Sequence, residues 1–135
     1  MTRTEIQKRL RDTGVMPTSQ RIEVAELLLS RPQHLSADQI IEKLQRAGSR
    51  VSKATVYNSL KTFSETGLIK EINVDATRKY YDSTTDAHHH FYHVETGELI
   101  DIPIDRIDIA GLPDLPEGTE QESVEVLIRV RDRAR

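Results

Sequence analysis

Hydrophobic and polar positions follow two different periods along this chain, and the change of period divides it. Over residues 5–13, Ile6 and Leu10 stand four apart among charged residues before Gly14, the pattern of an amphipathic helix. Pro17-Thr18 opens a second helix capped by Thr18, with Ile22, Ala25, Leu28 and Leu29 on one face and Arg31-Pro32 as its end. Ser36-Ala-Asp-Gln39 is a capping box for a third helix, which carries Ile40, Ile41 and Leu44 and stops at Gly48. A fourth runs from the Ser52 cap to Gly67 and turns Val56, Leu60 and Phe63 inward. From Leu68 the period shortens, and residues 69–74 and 78–81 predict strands around the turn residues Asp75-Ala-Thr77. Helices followed directly by a hairpin predict a winged helix-turn-helix.

The polar run 83–87 reads as a linker between a DNA-binding unit at 1–82 and a second unit at 88–135. In the second unit, residues 88–94 and 98–102 flank Thr96-Gly97 and predict a hairpin. A turn centred there pairs position 92 with position 101. Residues 103–111 have room for one short helix, Leu112-Pro-Asp-Leu-Pro-Glu-Gly118 is irregular, and 124–130 alternates as a last strand. Three strands in about 50 residues bury little surface alone, so this unit should lean on a second copy. The expected class is α+β, a winged helix-turn-helix joined to a small α/β dimerisation domain.

Composition narrows the chemistry. With 135 residues and 15.4 kDa, a large catalytic barrel is excluded. The longest apolar run is Leu27-Leu28-Leu29 and the N-terminus lacks an apolar stretch, so neither a signal peptide nor a membrane span is expected, and the cytoplasm is the expected location. There is no cysteine, which removes disulfides, thiolate metal sites and thiol nucleophiles; any metal must be held by nitrogen and oxygen. The net charge of -3 conceals a split. Residues 1–81 carry 14 Lys/Arg against 9 Asp/Glu, whereas residues 82–135 carry 5 against 13. A basic half joined to an acidic half fits one lobe that meets a polyanion and another with a separate role.

The outward row of the fourth helix is Lys53, Tyr57 and Lys61, with Asn58 beside it. In a winged helix-turn-helix this helix enters the major groove, where Tyr57 can pack on thymine methyl groups and Asn58 can pair with adenine. Lys53, Lys61, Arg21 and the wing residues Arg78 and Lys79 supply charge for phosphates.

Four of the five histidines fall at 88, 89, 90 and 93. Strand alternation puts His88 and His90 on one face, and the hairpin places Asp101 on that face, diagonal to His90. Asp82 at the end of the wing and His34 in the loop before the third helix are two further ligands from outside the hairpin. Three imidazoles with two carboxylates suit Mn(II), Fe(II) or Zn(II) without choosing among them. His89 and His93 share the opposite face and read first as surface histidines.

Ser52-Lys-Ala-Thr-Val-Tyr57-Asn-Ser-Leu60 followed by Glu65-Thr-Gly-Leu-Ile69 resembles the recognition helix of the ferric uptake regulator family, and the resemblance covers nearly the whole chain. Residues 74–82, the His88-His89-His90 triplet and the tail 112–131 look most like its iron response regulator subgroup. The resemblance implies that His34, Asp82, His88, His90 and Asp101 match a regulatory metal site, and that haem is a further ligand of the histidine triplet. Asp108 lies where the family often has another acidic ligand, so His89, His93 and Asp108 form a conceivable second metal or haem set. His93 and Thr96 stand where many relatives have the first Cys-x-x-Cys pair of a structural zinc site, which is absent here. The leading expectation is a homodimeric, metal- or haem-responsive regulator, mostly a repressor, of iron homeostasis that binds a palindromic DNA operator. A peroxide- or manganese-responsive regulator, a constitutive DNA binder with a structural metal, and a metalloenzyme are the alternatives; five protein ligands leave little room for a substrate and argue against the enzyme.

Overall fold

A computed structural model describes residues 1–134, which form two compact units, Met1–Thr85 and a second that begins at Asp86. The first contains α1 (Arg3–Asp12), α2 (Ser19–Leu29), β1 (His34–Ser36), α3 (Ala37–Arg46), α4 (Lys53–Glu65), β2 (Lys70–Asn73) and β3 (Lys79–Asp82). The second contains β4 (His89–His93), β5 (Leu99–Ile102), a 3-10 turn at Ile104–Arg106 and β6 (Leu127–Val130).

Short polar side chains start the helices. Thr18 Oγ1 accepts from the Arg21 amide, Ser52 Oγ from Thr55, and Ser36 with Gln39 closes a reciprocal capping box. Gly67 ends α4 at a φ of 79°, which a side chain at that position would strain, and lets the Leu68 amide bond back to the Phe63 carbonyl at 2.9 Å. The chain then turns directly into the wing. The inward faces of the four helices supply Leu10, Leu28, Ile40, Leu60 and Phe63, all at 0 % exposure, to one continuous core. β1, β3 and β2 form an antiparallel sheet in that order beside it.

β1 corrects the reading of His34 as a loop residue. Three residues are too short to show a period, and the strand exists only by pairing with β3. The hairpin of the second unit also differs from its expected register. A four-residue loop, closed by His93 N donating to the Glu98 carbonyl at 2.9 Å and Gly97 N to His93 at 2.8 Å, pairs Tyr92 with Leu99 and His90 with Asp101. Gly97 enables the loop with a φ of 74°. Asp101 therefore stands directly opposite His90 rather than diagonal to it.

β6 pairs in parallel with β4, giving the order β5-β4-β6. A parallel pair needs a crossover. Here the connection runs through β5, and between β5 and β6 it holds only the short turn at Ile104–Arg106, less than the helix for which 103–111 has room. On one face of the sheet Phe91 pairs with Ile100 and with Ile128, and these three lie 36 to 44 % exposed in the single chain. The unit's buried apolar residues are few, chiefly Tyr92, Leu99 and Ile102.

The opposite faces of α4 should respond differently to truncation. Leu60→Ala empties a fully buried position and should cost about 2–5 kcal/mol, whereas Lys61→Ala on the exposed face should stay within about 0.5 kcal/mol. Urea unfolding of both variants checks the orientation of the helix.

Candidate metal and nucleic-acid sites

Within the first unit, antiparallel register sets His34 directly opposite Asp82. Directly opposed residues share a sheet face, so imidazole and carboxylate point to the same side. Asp82 is 1 % exposed, and its Oδ1 accepts from the Thr84 amide at 2.9 Å. A carboxylate this far from water is retained where hydrogen bonds or a cation compensate its charge.

Within the second unit, the Nε2 atoms of His88 and His90 approach Asp101 Oδ1 at 3.5 and 3.3 Å, and the two rings lie 4.4 Å apart. One ligand atom from each of these three residues falls within 4.8 Å of the others. Both imidazoles are buried, while the Asp101 side chain is 55 % exposed. His88 Nδ1 lies 2.7 Å from the Asp86 carbonyl. A carbonyl only accepts, so Nδ1 carries the proton, and a neutral His88 turns its Nε2 lone pair toward an anionic oxygen. A cation held between the two converts that repulsion into attraction, and an imidazole donating its other N–H to a backbone carbonyl is the usual posture of a metal ligand. The donor set fits a divalent ion that accepts nitrogen and oxygen.

The second candidate group is arranged otherwise. His89 is not a surface residue: it is 1 % exposed, and its Nδ1 accepts from the Val126 amide at 2.8 Å. His93 Nδ1 accepts from the Thr96 amide at 3.2 Å, and its Nε2 lies 2.9 Å from Asp132 Oδ1. In both rings Nδ1 is an acceptor, so the proton of the neutral form sits on Nε2, the nitrogen that would have to be bare to hold a metal. The group gathered around His93 is Glu95 and Asp132, and neither His89 nor Asp108 belongs to it. Asp108 is exposed in the crossover. The expected set His89, His93 and Asp108 is thus replaced by a clasp whose far member, Asp132, lies 39 residues from His93 and gave no local signal. Asp132 raises the His93 pKa above its ordinary 6.5, through the hydrogen bond first and then its charge.

On the first unit, Lys53, Asn58 and Lys61 are exposed along α4, and Tyr57 is 50 % exposed with its hydroxyl 3.5 Å from Asp38 Oδ1. The row read from the periodicity is therefore present on the open face. Arg50, two residues before the α4 cap, is exposed beside it and was not singled out from the sequence. The other cations are less available. Arg21 Nη1 donates to the Met16 carbonyl at 3.0 Å, Lys79 pairs with Glu71 at 3.0 Å, and Arg78 lies 3.9 Å from Asp75. The Glu71 hydrogen bond raises the Lys79 pKa, which keeps the ammonium charged but partly neutralised by its partner.

The family model described as the ferric uptake regulator family matches residues 12–126. The chain is 34 % identical over 99 residues to the peroxide operon regulator of Bacillus subtilis, covering 73 % of this chain and 68 % of the relative. It is 33 % identical over 92 residues to the peroxide-responsive repressor PerR of Staphylococcus aureus, covering 68 % and 62 %. The alignments thus span about two thirds of these relatives. Among solved structures, the ferric uptake regulator of Pseudomonas aeruginosa with manganese superposes with a TM-score of 0.72 at 27 % identity, covering 95 % of this chain and 98 % of that one. The Vibrio cholerae ferric uptake regulator shares the fold, with a TM-score of 0.74 at 22 % identity over 93 % and 98 %.

In an NMR titration the His93 ring should turn over above 6.5, and Asp132→Asn should bring the midpoint down. Its contribution to holding the C-terminal segment is fully present below the ordinary value and is lost as pH rises through the elevated one. A midpoint unmoved by Asp132→Asn would exclude the clasp.

Proposed function

This chain belongs to the ferric uptake regulator family of metal-responsive, dimeric DNA-binding transcription regulators, which are not enzymes, and we propose that it serves as a cytoplasmic repressor of iron-homeostasis genes on a palindromic operator. His34 and Asp82 from the first unit and His88, His90 and Asp101 from the second are the ligands of one regulatory Mn(II), Fe(II) or Zn(II) ion in this reading. The observation that carries it is the tautomer of His88, whose Nδ1–H is committed to the Asp86 carbonyl and whose Nε2 faces Asp101. A bound divalent ion would supply the positive charge that such a set of imidazoles and carboxylates needs. Drawing ligands from both units restricts their mutual freedom and thereby changes the affinity for DNA.

Tyr57 and Asn58 read base edges, while Lys53, Lys61, Arg21, Arg78 and Lys79 meet phosphates in this scheme. The apolar row of Phe91, Ile100 and Ile128 is the natural surface for the second copy, since the unit has little core of its own. No helix among the described residues is long and apolar enough to cross a membrane.

One observation favours a second reading. The Bacillus and Staphylococcus relatives are peroxide regulators, and an Fe(II) ion among these ligands gives peroxide a reductant next to imidazoles. Loss of operator binding on treating the iron-loaded protein, but not the manganese-loaded one, with hydrogen peroxide would select that reading. Haem, the other effector implied by the histidine triplet, would need His89 Nε2 bare, whereas the Val126 amide on Nδ1 keeps the proton of the neutral ring on Nε2. Absorption titration with haemin, comparing His89→Ala with the wild type, tests it.

His88→Ala and His90→Ala should each abolish metal-dependent operator binding with the fold intact, and metal affinity should fall on acidification because each imidazole ligand must be unprotonated to bind. Equilibrium dialysis with manganese and operator titrations measure both effects; a variant of either histidine that still responds to metal sinks the assignment.

Tyr57→Ala or Asn58→Ala should cost about 1–3 kcal/mol at the cognate site and relax its sequence preference, whereas Lys61→Ala should weaken all sequences alike and reduce the salt slope by about one. Equal losses on cognate and random duplexes for Tyr57 and Asn58 would exclude base reading. Phe91→Asp should yield a monomer in sedimentation at micromolar concentration.

A further inference from the structure

One residue along from the opposed pair His34 and Asp82, the ladder of β1 and β3 ends in a knot. The Ser83 amide donates to the Gln33 carbonyl at 3.0 Å, and the Gln33 amide donates to Ser83 Oγ at 3.0 Å. The Ser83 hydroxyl proton has the Arg31 carbonyl at 3.1 Å and the Gln33 carbonyl at 3.2 Å as acceptors. The side chain of Gln33 leaves the strand in the other direction. Its Nε2 donates to the carbonyls of Leu27 at 2.7 Å and Leu28 at 3.2 Å, two of the groups that the last turn of α2 leaves without helical donors. α2 packs in turn against α1, α3 and α4.

We propose that Gln33 is a positioning residue that couples metal binding at His34 and Asp82 to the DNA-reading helices. The inference rests on the reading of His34 and Asp82 as ligands. Gln33 is tied at both ends, by its backbone to the residue after Asp82 and by its amide to the end of α2. Any shift of the strand ends on closing around an ion therefore reaches α2 through hydrogen bonds, where a residue without the amide would leave a slack joint. Gln33 touches neither metal nor DNA in this scheme. Its loss should spare each binding event and reduce the free energy that links them. That coupling is reciprocal: the factor by which metal strengthens DNA binding equals the factor by which DNA strengthens metal binding.

The test uses the full chain, Mn(II) as probe, and a duplex enriched by the Mn(II)-loaded wild type from a random pool. Gln33→Met keeps the length and removes the donor; Ser83→Ala cuts the knot from the other side. Both should bind Mn(II) with wild-type stoichiometry and show Mn-free affinity for DNA within about threefold of wild type. The Mn-induced gain in DNA affinity should fall by about tenfold, and the DNA-induced gain in Mn(II) affinity by the same factor. A gain within about twofold of wild type in Gln33→Met overturns the proposal, as does an equal loss of Mn-free and Mn-loaded DNA affinity, which would mark Gln33 as merely structural. His34→Ala and Asp82→Asn separate the premise from the inference. If both retain wild-type Mn(II) affinity the ligand reading falls and takes the coupling with it. If they lose the metal while Gln33→Met keeps full coupling, only the coupling falls.

Discussion

A neutral imidazole has two nitrogens and one proton, and backbone groups decide which nitrogen keeps it for three of the clustered histidines. A carbonyl takes the Nδ1 proton of His88 and leaves Nε2 facing Asp101. Amide N–H groups occupy Nδ1 of His89 and His93 and hold the proton on Nε2. Four histidines within six residues look equivalent by composition, yet strand parity selects the face and the backbone partner selects the tautomer. Together these sort one cluster into residues suited to ligation and residues suited to structure.

What could be read from the sequence was what short-range physics determines. The α4 boundaries follow from the Ser52 cap and the Gly67 stop, and the inward set Val56, Leu60 and Phe63 follows from a 3.6-residue period. That the rings of His88 and His90 lie side by side near Asp101 is legible because alternation needs no partner strand. Non-local pairing was not legible. β1 is a strand only because β3 lies beside it, so the opposition of His34 and Asp82 had no sequence signature. Alternation puts Asp101 on the correct face but a symmetric two-residue turn puts it on the wrong rung, since the loop takes four residues. The clasp around His93 draws on Asp132, whose distance along the chain hid it.

The structural histidines answer a difficulty posed by β6. Parallel strands are usually joined through a helix packed across the connection, whereas here the chain passes through β5 and the stretch from β5 to β6 has only a single 3-10 turn. Contacts at both ends of β6 fix the strand instead. The Val126 amide is held by His89 just before it. Just after it, Asp132 is gripped through its carboxylate by His93 and through its amide by Glu95 Oε1 at 2.7 Å. A chain without cysteine has no thiolate site with which to secure this segment, and hydrogen bonds to side chains on and beside β4 do it.

That arrangement bears on the candidate ligands through β4 itself. β4 is the central strand, bonded to β5 on one side and β6 on the other. Holding β6 in register holds β4, and with it the rungs that place His90 opposite Asp101. The histidines of one parity thus orient those of the other, which lets the potential ligands meet an ion without first ordering a loop. Burial of His88 and His90 beside a half-open Asp101 gives the donors separate roles. The two buried nitrogens are fixed in place, and the exposed carboxylate is the group with freedom to move, so an ion held here would be positioned by the imidazoles and closed on by Asp101.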